Sequence, residues 1–124
     1  MNYLQYRKLF TNNKYGAEKT EWNGRVYDSK KEAKRAAALE QQEKFGLIKN
    51  LQKQVAFELQ PGYINNQGKK IRSITYIADF VYEKDGIMYV EDVKGSRKNL
   101  TDAYKIKRKL FEYKYPGYYF VEFI

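Results

Sequence analysis

The stretch Tyr76 to Lys94, YIADFVYEKDGIMYVEDVK, constrains this chain more than any other. Two runs rich in β-branched and aromatic residues flank Asp85-Gly86, a dipeptide suited to a two-residue type I′ turn because both central residues of that turn need positive φ. Such a turn pairs Lys84 with Ile87, and counting back along both arms sets Asp79 opposite Asp92. The two-residue alternation of strands then puts Ile77, Asp79 and Val81 on one side together with Met88, Val90, Asp92 and Lys94. That side is mostly apolar. Two facing carboxylates about 5 Å apart repel by roughly 3 kcal/mol at an effective dielectric near 20, so a core-facing pair needs compensation, which a divalent cation provides. Two other readings stay open. A three-residue loop over Lys84, Asp85 and Gly86 pairs Asp79 with Glu91 and turns Asp92 away, and an exposed sheet face leaves both acids merely solvated. Asp-Gly is the stronger turn signal, and Ile77, Val81, Met88 and Val90 argue against solvation.

The flanking sequence supplies the other elements. Glu21 to Tyr27 reads as a tight turn with a short strand. Ser29 with Glu32 three residues on is a capping-box signature, the alanines at 33, 36, 37 and 38 favour a helix from about Lys30 to Phe45, and Gly46 stops it. Leu47 to Leu51 leads into a strand over Val55 to Leu59, closed by Pro61-Gly62. The polar loop Asn65 to Lys70 separates it from a second strand, Ile71 to Tyr82, and the hairpin leads to a third, Ile87 to Val93. After the basic loop Ser96 to Asn99, Thr101 caps a second helix on which Ala103, Ile106, Leu110 and Tyr113 form an apolar stripe, expected to face the core, with Lys105, Arg108 and Lys109 projecting elsewhere. Pro116-Gly117 ends that helix, and Tyr118 to Phe123 is a last strand. The order is α, β, β, β, α, β, an α/β fold with a mixed sheet flanked by helices. Residues 1–19 read as a basic arm dotted with Tyr3, Tyr6, Phe10 and Tyr15, and residues 20–124 as one domain.

Composition narrows the chemistry. At 124 residues the chain has room for one core, and 43% hydrophobic residues can fill it. Zero Cys and zero His exclude disulfides, thiol nucleophiles, thiolate metal sites and imidazole chemistry, so carboxylates, lysines, tyrosines or hydroxyls must carry any reaction. The net charge of +9 favours polyanionic partners, nucleic acid foremost. No apolar run is long enough to span a bilayer and the N-terminal segment lacks a signal-peptide core, so a soluble, cytoplasmic protein without membrane contact is expected.

Hard oxygen ligands suit Mg²⁺ or Mn²⁺, held by one or two carboxylates together with phosphate oxygens and water. Phosphodiester hydrolysis fits that set: the ion polarises the phosphoryl oxygen and lowers the pKa of a bound water, while Lys94 orients that water or stabilises the developing charge. Glu32 is a third candidate acid. Helical geometry aligns it with Ala36 and Leu39, residues that ought to face the sheet, although the capping box alone also explains it.

These residues resemble the PD-(D/E)xK, or restriction-endonuclease-like, nuclease superfamily, with Ala78-Asp79-Phe80 on one strand and Asp92-Val93-Lys94-Gly95 on the next; Ala78 stands where the signature has Pro. More closely, GRVYDSKKEAKRAAALE, GLIKNLQKQVAFEL and YIADFVYEKDGIMYVEDVKG are similar to a family of small phage and prophage proteins of unknown function, over residues 12 to 115. The resemblance implies an αβββαβ core and a metal-dependent endonuclease fold. It implies Asp79, Asp92 and the Val93 carbonyl around the metal, Lys94 beside the attacked phosphate and Glu32 as a helix-borne site acid. Gln54 falls where related nucleases can place a polar site residue, though a strand-end amide bonded to backbone is the simpler reading.

The expectation is therefore a Mg²⁺-dependent DNA endonuclease of a phage or prophage in a bacterial host, acting in recombination, replication or packaging, with branched DNA as one candidate substrate. The alternative is a catalytically weak or inactive nuclease-fold module that binds DNA. Arg97, Lys98, Lys105, Lys107, Arg108 and Lys109 are candidates for sequence-independent backbone contact, unless they are ordinary solvated cations. Junction resolution would require two active sites and hence a homodimer, whereas nicking needs one.

Overall fold

A computed structural model describes residues 19–22, 25–27 and 29–124. Apart from Lys19, the expected basic arm lies outside the described residues. Strands β1 (Thr20–Trp22) and β2 (Arg25–Tyr27) form a small antiparallel hairpin, fastened to the first helix where the Trp22 indole N–H donates to Glu40 at 3.1 Å. Helix α1 (Lys30–Lys44) begins as the sequence indicates: the Ser29 side chain accepts from the Glu32 amide at 3.1 Å. It stops at Gly46, whose φ of +78° favours glycine.

A four-stranded sheet follows, built from β3 (Lys49–Gln60), β6 (Ile74–Lys84), β7 (Ile87–Val93) and β8 (Tyr118–Phe123), in that spatial order. Two short strands, β4 (Tyr63–Ile64) and β5 (Lys70–Ile71), pair around the Asn65 turn. They interrupt the longer second strand expected from the sequence, which begins instead at Ile74. β3, β6 and β7 run antiparallel, while β8 runs parallel to β7 after the crossover through helix α2 (Asp102–Lys114). The sheet is therefore mixed, with a helix on each face, and its core order is α1, β3, β6, β7, α2, β8, as the pattern indicated.

Each face buries its own cluster. Ala33, Ala36 and Leu39 of α1 pack with Ile48, Phe80 and Tyr82, joined by Leu51, Tyr89 and Val93. On the other face Tyr104 and Phe111 of α2 pack with Phe57, Tyr76, Ala78, Val81 and Val90. Phe111 is the centre of that second cluster, with ring contacts to Phe57 at 4.9 Å and Tyr76 at 5.5 Å.

The orientation of α2 departs from expectation. Thr101 caps it as anticipated, accepting from the Tyr104 amide at 3.1 Å. The buried residues, however, are Tyr104 and Phe111, whereas Ile106, Leu110 and Tyr113 are exposed. Aromatic rings bury more apolar area than aliphatic side chains, and the pocket left by Phe57, Tyr76 and Phe120 accepts rings. The stripe expected to face the core faces outward.

Candidate functional site

The β6–β7 hairpin turns through Asp85 and Gly86, at φ +51° and +79°, and pairs Lys84 with Ile87, Val81 with Val90 and Phe80 with Glu91. This is the two-residue register. One further step along it sets Asp79 opposite Asp92. There backbone pairing gives way to a side-chain bond: the Val93 N–H donates to Asp79 Oδ2 at 2.7 Å.

The alternation of β6 inverts at the same point. Tyr76 and Ala78 belong to the α2-side cluster, yet Phe80 and Tyr82, of the same parity, belong to the α1-side cluster. β3 inverts opposite: Val55 and Phe57 pack toward α2, while Leu51 packs toward α1 and Lys53 is ion-paired with Glu40 of that helix. Between them stands Gln54, a non-glycine residue at φ +56°, the left-handed conformation that reverses side-chain direction without adding a residue. Asp79 therefore occupies the crossover, within electrostatic reach of both layers. Ile77, expected on its face, is in neither buried cluster, because the inversion breaks the simple two-residue period there.

Asp92 is 5% exposed and lies against the α2 layer. The Tyr76 hydroxyl donates to its Oδ2 at 2.6 Å and the Lys94 ammonium sits 3.0 Å from its Oδ1. That ammonium also lies 3.9 Å from the centre of the Tyr104 ring, a cation–π contact. The Tyr104 hydroxyl donates to Glu122 at 2.8 Å, fixing the ring in turn. Lys94 is anchored by its backbone as well: its amide donates to the Phe123 carbonyl at 2.8 Å, and its carbonyl accepts from Lys31 Nζ at 2.9 Å.

Glu32 is 4% exposed, with its Oε1 buried, so its amide serves the helix cap while its carboxylate turns inward. Burial, then the charge of Asp92, then that of Glu32 push the Asp79 carboxyl well above its ordinary pKa, and the Val93 amide and Lys94 only partly offset them. Burial and the Asp92 charge likewise hold the Tyr76 phenol protonated, as a donor. The side-chain nitrogen of Gln54 is buried on the strand beside Asp79.

Other candidates go elsewhere. Glu91 is fully buried on the α1 side, gripped by Arg35 through two bonds of 2.7 and 2.8 Å and by the Tyr82 hydroxyl at 2.9 Å. It is not brought to Asp79. Arg108 is held by Glu112 and Glu122 and lies over the Phe120 ring, so its charge is spent within the fold. Arg97, Lys98, Lys105 and Lys109 remain exposed, Arg97 and Lys98 on a single 3₁₀ turn (Arg97–Asn99) just after Lys94, and Lys107 is half-buried. Tyr76, Tyr104 and Lys31 join the site through their contacts with Asp92 and Lys94, although the sequence pattern does not single them out. Only the lysine spacing on α1 and the aromatic content of β6 and α2 hinted at them, and neither signal distinguishes site from core.

Among the described residues no set of three or more carboxylates is grouped to hold a metal ion. The geometry brings together a pair, with Glu32 acting on it from α1. A pair is compatible with Mg²⁺, which keeps several waters and is commonly bound through one or two carboxylates plus substrate phosphate. No helix among the described residues is long and apolar enough to cross a membrane.

A protein-family model described as "Protein of unknown function (DUF1064)" matches residues 12–121. Comparison with curated proteins and with solved structures gave no match.

Proposed function

We propose that this chain, which belongs to the DUF1064 family of unknown function, is a metal-dependent DNA endonuclease. The observation that carries the reading is the convergence of Asp79 with Asp92 and Lys94 at the crossover of the sheet. Burying like charges together is costly, and a site that does so stores a demand for a cation.

Asp79 and Asp92 are the residues that would hold Mg²⁺ or Mn²⁺, which when bound supplies Lewis-acid activation of a phosphoryl oxygen and of water. The chain's own groups prepare that task. The Val93 amide and the Tyr76 hydroxyl each fix one carboxylate oxygen, so the two acids are oriented before substrate arrives. Lys94 places an ammonium beside them, where it can meet the charge that develops on the phosphate, and the Tyr104 ring keeps it on that side. Arg97 and Lys98 are the exposed cations next along the chain, suited to holding the phosphate backbone. Net charge +9 attracts the polyanion without regard to sequence. A phage or prophage role in recombination, replication or packaging, and a cytoplasmic setting, accord with this activity.

The test is incubation of the purified chain with linear, nicked and four-way-junction DNA in Mg²⁺ or Mn²⁺. Cleavage that disappears in Asp79→Ala supports the reading, and intact DNA in every case defeats it.

One observation favours a second reading, a nuclease-fold DNA-binding module without useful turnover. Both oxygens of Asp92 are already engaged, by Tyr76 and Lys94, a self-neutralised arrangement. Such a module would bind DNA in a salt-sensitive way that survives Asp79→Ala, with no cleavage to lose.

A further inference from the structure

The outward face of α2 is apolar, and among the described residues neither buried cluster nor the proposed chemistry uses it. At about 100° per residue, Ala103, Leu110 and Tyr113 fall within about 60° of Ile106, whereas the core residues Tyr104 and Phe111 lie about 140° to 160° away. Ile106 is 58% exposed, Leu110 40% and Tyr113 90%. The residues stand at 3-4-3 spacing, the seam by which one helix packs on another. An apolar stripe opposite a helix's own core face, sustained over its whole length, is characteristic of a docking surface.

Its edges are mainly basic. Lys105 and Lys109 are exposed along one side of the stripe, and Lys107 and Lys114 lie along the other, Lys114 also donating to the Glu58 carbonyl at 2.9 Å. The acids of the helix offset little of this. Glu112 is bonded to Arg108 at 2.7 Å, which leaves Asp102 in the first turn as the remaining negative group. A DNA backbone would satisfy the lysines but give Ile106, Leu110 and Tyr113 nothing apolar to meet. A second copy would satisfy the stripe but set the same lysines against one another.

We propose that this face of α2 is a docking site for another protein, through an amphipathic segment whose apolar side chains, at helical spacing, are flanked by Asp and Glu. Apolar contact supplies the affinity, and the acidic flanks meet the lysines and fix orientation. The proposal does not depend on the nuclease reading.

The probe is a random peptide display library, panned on the full chain with counter-selection on Ile106→Asp. Selected peptides are expected to carry apolar residues at i, i+3 or i+4 with an excess of Asp and Glu. A synthetic copy should bind the native chain at least about tenfold more tightly than Ile106→Asp or Tyr113→Asp. Replacing its acids with lysine should weaken it comparably. Should Ile106→Asp fail to fold by circular dichroism, Tyr113→Asp, at the most exposed position of the stripe, makes the same comparison. The proposal is overturned by absence of selective enrichment, by peptides of neutral or basic character, or by equal binding to both variants. It is also overturned if sedimentation shows a dimer that Ile106→Asp converts to monomer, or if that substitution weakens duplex DNA binding about tenfold instead.

Discussion

Glu91 and Asp92 are consecutive residues on one strand, both buried, each with a tyrosine hydroxyl and a cation, and they do opposite things. Glu91 is closed: Arg35 bonds both its oxygens and Tyr82 adds a third bond. The hydrogen bonds to Glu91, outweighing burial, raise the Arg35 pKa, so that the guanidinium stays charged. Asp92 has one point contact from Lys94, whose ammonium is shared with an aromatic face, and it confronts Asp79 across the hairpin. A forked guanidinium settles a carboxylate in place, whereas a single ammonium among two or three acids leaves negative charge over. One side of the strand holds the layers together and the other keeps a demand for positive charge.

The largest effect that sharpens this contrast is on cleavage. Asp92→Ala should lower Mg²⁺-dependent cleavage on the order of a thousandfold, equal to about 4 kcal/mol in the barrier, while leaving the fold intact by circular dichroism. A variant that unfolds, or that cleaves like the native chain, erases the distinction between the two acids. Glu91→Gln should do the reverse. It leaves Arg35 half-buried beside a neutral amide and should lower unfolding free energy by about 3 kcal/mol in urea titration, the low end for a broken buried pair because Arg35 is partly solvated and keeps the Phe123 ring, 4.1 Å away. Loss of cleavage at full stability would make Glu91 part of the site after all.

How much of this was legible beforehand follows from which forces act locally. Turn chemistry is local, so Asp85-Gly86 fixed the register of the hairpin, and with it the facing of Asp79 and Asp92, from the sequence. Ser29, Thr101 and Gly46 marked helix ends for the same reason. The inversion at Gln54 and Asp79 was not legible, because a positive φ at a glutamine within a strand has no propensity signal; tertiary packing imposes it. The face of α2 was misread because two helical stripes competed, one aliphatic and one aromatic. Which of them is buried depends on the pocket the other strands provide. Arg35 as the partner of Glu91 required knowing that α1 crosses above β7.

A third effect runs in the stabilising direction. Asp79 has a raised pKa in the folded chain, so its ionised form is disfavoured on folding. Its cost is absent below the unfolded carboxylate value of about 3.9 and grows as pH rises from there toward the folded value. Asp79→Asn keeps an oxygen for the Val93 amide and removes the charge. Without divalent ions it should therefore be more stable than the native chain at pH 7, by about 1 to 2 kcal/mol, with the gap closing near pH 4. Melting temperatures across that range decide it. A gap that does not change with pH would mean that shape, and not charge, sets the cost.

The smallest effect compares the two tyrosines. Tyr82→Phe and Tyr76→Phe each delete one hydroxyl from a buried acid, and each should cost about 1 kcal/mol if hydrogen bonding alone is lost. Their consequences should nevertheless part. With Tyr82 gone, Glu91 still has both bonds from Arg35, so only stability changes. With Tyr76 gone, Asp92 loses the bond that holds one of its oxygens, and its orientation toward Asp79 loosens. Cleavage by Tyr76→Phe should then fall about tenfold more than cleavage by Tyr82→Phe at matched stability, with a steeper dependence on Mg²⁺ concentration. Equal cleavage by the two variants would show that the Tyr76 hydroxyl, like that of Tyr82, only fills a hydrogen-bond vacancy in the core.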